Sequence, residues 1–209
     1  MATINELAKA IAAGRKKDAE ALVEAALDEG MDPLEILNKG MIDTMGLVGE
    51  KFKTGEIFVP EMLVAARAMK ASVEVLKPHL SGEASAGLGK CVIGTVAGDL
   101  HDIGKNLVGM MIESAGFTLV DLGVDVSADT FINTLKANPD TKVVALSCLL
   151  TTTMPAIRDA VTAIKGAGVA VKIIVGGAPI TEGFANEIGA NGYAPDAASA
   201  ATLAKTIIV

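Results

Sequence analysis

Apolar residues recur along the chain with two rhythms, and the change between them falls near residue 80. Over the first 77 residues they repeat every three or four positions, the spacing of helices with one buried face. Leu7, Ala10 and Ile11 mark a first stripe, with Thr3 as a cap or first-turn residue. Ala19, Leu22, Val23, Ala26 and Leu27 mark a second, which Gly30 ends. Asp32-Pro33 opens a third helix whose inward stripe is Leu34, Leu37, Met41, Met45 and Val48. Lys53-Thr54-Gly55-Glu56 is a turn, and Pro60 opens a fourth helix with Met62, Leu63, Ala66, Met69 and Val73 inward. Four helices with short connections predict a small bundle. From Lys90 onward, short β-branched runs alternate with helical stretches, the pattern of a parallel sheet covered on both faces. Strands are predicted at 91–96, 117–120, 143–147, 171–175 and 192–194. The third is apolar throughout and should be central.

The fold class that follows is α/β: an N-terminal four-helix bundle over 1–77, a linker over 78–89 and a flavodoxin-like, Rossmann-type five-stranded parallel sheet over 90–209. With half the residues apolar, no Trp and one Tyr, the core must be built from Ala, Val, Ile, Leu and Met. The net charge of −7 argues against a nucleic-acid partner, because phosphate binding needs clustered Lys and Arg. No apolar run approaches the ~20 residues that span a bilayer, so no membrane association is expected. The first residues do not read as a signal peptide. Cys91 and Cys148 form no Cys-x-x-Cys and read as buried free thiols, which fits a cytoplasmic protein.

The candidate chemistry sits in Gly98-Asp99-Leu100-His101-Asp102-Ile103-Gly104, between the first strand and the helix after it. In open α/β sheets that edge is where ligands bind. His101 is one of only two histidines, and Asp99 stands two residues before it. A carboxylate there can accept the imidazole Nδ1–H and leave Nε2 free as a metal ligand; an amide oxygen at 99 would accept it too. The same residues equally describe an ordinary polar loop in which Asp102 caps the helix. One His and one Asp also fall short of the three or four donors of a zinc site, so a metal here would take most of its ligands from a macrocycle. Ser147 is a polar strand end, and Gly176-Gly177 a tight turn, unless the glycines leave room for a long ligand tail between the third and fourth strands. His79 reads as a solvated linker residue. Gly46 and Gly49 each cost about 1 kcal/mol inside a helix, tolerable where a flat ligand or a second helix comes close.

Asp99-x-His101-x-x-Gly104, Ser147-x-Leu149 and Gly176-Gly177 resemble, in order and spacing, the Asp-x-His-x-x-Gly, Ser-x-Leu and Gly-Gly motifs of cobalamin-binding domains. The likeness to the corrinoid proteins of methyltransferase systems covers nearly the whole chain; Asn191 stands where that family commonly has Asp. The resemblance implies a cobalt corrinoid, cobalamin, with His101 replacing the dimethylbenzimidazole on the metal. Asp99, Asp102, Ile103 and Gly104 belong to the same loop. Ser147, Leu149, Thr151, Gly176, Gly177 and Tyr193 would line the nucleotide-tail slot. The helical bundle would be a cap over the upper corrin face, with Met45 on the facing helix. The function implied is methyl carriage by a carrier subunit rather than a complete enzyme. Its partners would be a substrate-specific methyltransferase, an acceptor methyltransferase and a reductive activase. A cobalamin sensor or an adenosylcobalamin mutase subunit would share the lower-face motifs; a flavin or phospho-receiver protein of this topology would not need His101.

Overall fold

The computed structural model describes residues 2–80 and 87–208. Residues 81–86 of the expected linker lie outside the described ones. The chain forms two compact units: one runs from the N terminus to Gly87 and takes in Glu113–Gly116, the other holds Leu88–Ile112 and Phe117–Val209.

The first unit is the helical bundle. It comprises α1 (Ala2–Ala12), α2 (Lys16–Asp28), α3 (Pro33–Glu35), a π-helical stretch (Ile36–Ile42), α4 (Asp43–Lys53) and α5 (Val59–Leu76), followed by a 3₁₀ turn at Lys77–His79. Asp32 caps α3, its carboxylate accepting the Leu34 N–H at 3.1 Å. The Phe58 N–H donates to the Glu61 carboxylate at 2.7 Å, which fixes the start of α5 one residue before Pro60. Thr3 lies in the first turn of α1, and its hydroxyl donates to the Glu29 carboxylate at 3.0 Å. One expectation needs correction. Leu34 is exposed and Leu37 only half-buried, while Ile36, Gly40 and Met41 are buried. The wider π turn carries the buried face from Ile36 to Met41, a step of five that a helix of constant pitch does not predict. Gly40 permits this packing, since a Cβ there would stand 2.9 Å from Leu7 Cδ2.

The second unit contains β1 (Lys90–Thr95), α6 (Ile103–Ser114), β2 (Thr118–Asp121), α7 (Ala128–Ala137), β3 (Thr141–Ser147), α8 (Met154–Gly166), β4 (Lys172–Gly176), α9 (Glu182–Glu187), β5 (Gly192–Tyr193) and α10 (Ala197–Thr206). The sheet is parallel throughout, in the order β2-β1-β3-β4-β5, as the α/β reading requires. β3 is central, and Val143 to Leu146 are all buried. The order reverses between β1 and β3. The loops after those two strands therefore flank the topological switch point, one carrying His101 and the other Leu149 and Thr151. Among the described residues no helix is long and apolar enough to cross a membrane.

Candidate functional site

The loop after β1 is shaped by backbone bonds before any side chain acts. The Val96 N–H donates to the Ser147 carbonyl at 3.0 Å, and the Asp99 N–H to the Val96 carbonyl at 3.2 Å. Gly98 takes a left-handed φ of 79°, which turns the chain so that Asp99 points inward. The Thr95 hydroxyl donates to the His101 carbonyl oxygen at 2.9 Å.

Asp99 is 0% exposed, and both its oxygens are occupied. Oδ1 accepts the His101 N–H at 3.1 Å and lies 2.7 Å from His101 Nδ1. Oδ2 accepts the Leu149 N–H at 2.7 Å, the Leu150 N–H at 3.3 Å and the Thr153 hydroxyl at 2.8 Å. Burial works against the charge, but the bonds from Leu149, His101 and Thr153 outweigh it and hold the carboxyl well below the usual range. Asp99 is therefore ionised and acts only as an acceptor. The proton on the imidazole it holds is then on Nδ1, and Nε2 is left as the free ring nitrogen of a side chain half open to solvent.

The two loops that meet at Asp99 also carry exposed apolar side chains. Leu100, Ile103, Leu149 and Leu150 are 72%, 84%, 43% and 40% exposed, and they are the exposed large apolar side chains among the described residues of the second unit. Such a patch at a switch point marks a binding face. Gly104, at the start of α6, is exposed, and a Cβ there would meet nothing within 4 Å. The protein itself thus gives no reason for glycine at 104, whereas a ligand lying against the backbone would. Among the described residues no three His, Cys, Asp or Glu side chains gather to hold a metal ion. A single imidazole on a loop with exposed apolar side chains suits a metal that brings its other donors with it.

The remaining predicted residues fall as follows. The Asp102 carboxylate accepts the Asn106 side-chain N–H at 3.1 Å, and its carbonyl accepts the Asn106 backbone N–H at 2.7 Å. Ser147 is half-buried at the end of β3, in register with Thr95 and Gly176. Thr151 is exposed in the 3₁₀ turn at Thr151–Thr153. Gly176 and Gly177 follow at the end of β4, but the fold already requires them. A Cβ on Gly176 would stand 2.9 Å from the Ala194 carbonyl oxygen, and Gly177, at φ 127°, packs directly on the Cys148 carbonyl. Tyr193 pairs with Val175 on the edge strand and packs half-buried against the sheet's core. Met45 lies in the core of the helical unit at 2% exposure; Gly46 and Leu47 beside it are exposed.

Several functional contacts were not read from the sequence. Thr153 and Leu150 serve Asp99 from more than fifty positions away, and only the run of hydroxyls after Leu150 hints at it. Lys105 is buried and donates to Asp121 at 2.5 Å and to the Asn106 side chain at 2.6 Å, which ties the first turn of α6 to the end of β2. A lysine within an apolar helical pattern was the available signal.

Two family models, each described as a B12 binding domain, match residues 3–77 and 89–202. Dimethylamine corrinoid protein 1 of Methanosarcina acetivorans is 43% identical over 209 residues, covering 98% of this chain and 97% of that protein. Trimethylamine corrinoid protein 2 of the same organism is 43% identical over 195 residues, covering 91% and 89%. Among solved structures, the methanol:cobalamin methyltransferase complex MtaBC of Methanosarcina barkeri contains a chain that superposes with a TM-score of 0.85. That chain is 30% identical, with 99% of this chain and 80% of that one covered.

Proposed function

Because the chain belongs to the family of B12-binding corrinoid proteins, we propose that it holds cobalamin with the nucleotide base displaced and His101 on the lower face of cobalt. On this reading it carries a methyl group between a substrate-specific methyltransferase and an acceptor methyltransferase. The observation that carries it is the His101 imidazole, tied through Nδ1 to a buried carboxylate and left free at Nε2 on a loop with exposed apolar side chains. Bound there, the corrinoid would supply the cobalt that takes up and gives up the methyl group.

The chain's own residues do the rest. Leu100, Ile103, Leu149 and Leu150 offer an apolar face that excludes water from the lower side of a flat ligand. Asp99 holds the His101 imidazole through Nδ1, which fixes its tautomer and orientation. Gly104 leaves the start of α6 open to close approach. A reductive activase is proposed as the partner that rescues oxidised cofactor. The two relatives named for dimethylamine and trimethylamine favour a methylated amine as the donor handled by the partner methyltransferase.

Electron paramagnetic resonance of the cob(II)alamin-loaded protein tests the ligand. Wild type should show lines split into triplets by an axial 14N, and the triplets should persist when the benzimidazole carries 15N. His101→Ala should lose the nitrogen splitting. A 15N doublet in wild type would show that the base stays on cobalt and would end this reading.

A further inference from the structure

Asp125 lies in the loop between β2 and α7 with φ at 54°, the one non-glycine residue in the left-handed region among the described residues. An L side chain is disfavoured there because Cβ crowds the neighbouring backbone. Two nearby loop positions in the same region, Gly98 and Gly123, are glycines. An aspartate in that place needs a reason, and its bonds supply one. Asp125 Oδ1 accepts the Gly98 N–H at 2.7 Å. The Asp125 N–H donates to the Asp99 carbonyl oxygen at 3.0 Å, and the Val126 N–H to the Thr95 carbonyl oxygen at 2.9 Å. These bonds hold the backbone of residues 95–99 from the β2 side. The Asp99 carboxylate is held from the β3 side, through Leu149, Leu150 and Thr153. Asp99 is thus gripped by its backbone on one side and its carboxylate on the other, and His101 is tied to it at 2.7 Å.

We propose that Asp125 is a positioning residue for the Asp99–His101 pair, its side chain pinning the loop so that the imidazole stands ready before any cofactor arrives. This rests on the reading of His101 as axial ligand. A residue that served only the turn at 125 would be better as glycine, which adopts that backbone freely. Glycine, however, offers no acceptor to the Gly98 N–H.

Three variants of the full chain separate the roles. Asp125→Gly relieves the backbone and removes the acceptor. Asp125→Asn keeps an acceptor oxygen and tolerates the left-handed region. Asp125→Ala removes the acceptor and keeps the strain. In the unloaded protein, amide hydrogen exchange at Gly98 and His101 should be at least roughly tenfold faster in Asp125→Gly, with wild-type rates in Asp125→Asn. In Asp125→Gly the Kd for cobalamin should rise roughly tenfold, the scale set by outer-shell partners of metal ligands. The nitrogen splitting of its cob(II)alamin form should fall to a fraction of the spins. Asp125→Asn should restore both, and Asp125→Ala should behave as Asp125→Gly. Wild-type exchange, affinity and splitting in Asp125→Gly would overturn the proposal. So would faster exchange with unchanged affinity and splitting, since a looser loop would then leave the imidazole in place. Absence of nitrogen splitting in wild type would instead sink the reading of His101 as ligand, and the exchange rates would still decide whether Asp125 holds the loop.

Discussion

At the scale of single residues, Asp99 is not replaceable by its amide. Both oxygens accept only from donors: His101 N–H and Nδ1–H on one side, and Leu149 N–H, Leu150 N–H and Thr153 on the other. Asparagine must turn its NH₂ against one of these sets. If it faces His101, the ring must shift its proton to Nε2 and lose the free lone pair. An amide oxygen at 99 can still accept the Nδ1–H, as the sequence suggests, but only with the NH₂ turned against Leu149, Leu150 and Thr153. Asp99→Asn should destabilise the unloaded protein by about 2 kcal/mol or more in urea unfolding, because a buried donor is left facing donors. It should also weaken cobalamin binding; wild-type values for both would contradict the assigned tautomer. The two cysteines test burial in another way. Burial pushes the Cys91 thiol up to about 12. Cys148 rises to about 11, through burial and the Asp99 charge, against a bond with Thr153. Neither should react with a disulfide reagent at pH 8 until the chain is denatured. A thiol whose folded pKa is raised leaves stability unchanged below its unfolded value of about 9. Stability should then fall as pH climbs from 9 toward 11 and 12, since the unfolded chain gives up these protons first. Urea midpoints that stay level from pH 8 to 10.5 would contradict this.

At the scale of elements, the glycines divide by what surrounds them. Gly177→Ala would drive a Cβ into the Cys148 carbonyl at a φ of 127°, and should cost more than about 3 kcal/mol of stability without any ligand present. Loss of cobalamin binding in that variant therefore says little about a tail slot. Gly104→Ala meets open space near the start of α6, and should raise the stability of the unloaded protein by up to about 1 kcal/mol. Its affinity for cobalamin should fall if the corrin lies as proposed, because the added methyl would stand in its way. A stable Gly104→Ala with unchanged affinity would move the ligand away from α6. The sequence made much of this scale readable. Alternation of β-branched runs and helical stripes is a local property, so five strands and their order of chemistry along one edge could be predicted. The π-helical stretch could not, because Leu34 and Ile36 are equally apolar and only packing against α1, with Leu7 set over Gly40, decides which of them turns inward. Nor could the partners of Asp99, since bonds between loops fifty residues apart leave no periodicity behind.

For the molecule as a whole, the relatives cover nearly the full chain in both directions, so its two units are a pairing that the family shares. Within the second unit, the carboxylate of Asp99 joins loops that the chain itself keeps far apart, and this has a consequence for the order of folding. Burying that charge is unfavourable until the Leu149 and Leu150 N–H groups and the Thr153 hydroxyl are in position. They take position only after β1 and β3 have paired. The bonds should therefore form on the native side of the folding barrier. Asp99→Ala should steepen escape from the native state and leave the rate of its formation almost unchanged. Tyr193 is the one tyrosine in a chain without tryptophan, and its fluorescence reports this unit. A chevron followed through it should show the unfolding arm raised and the refolding arm in place. An equal slowing of refolding would mean that the loops meet before the sheet is complete. On the expected outcome, the binding edge is the last part of the sheet to set and the first to let go.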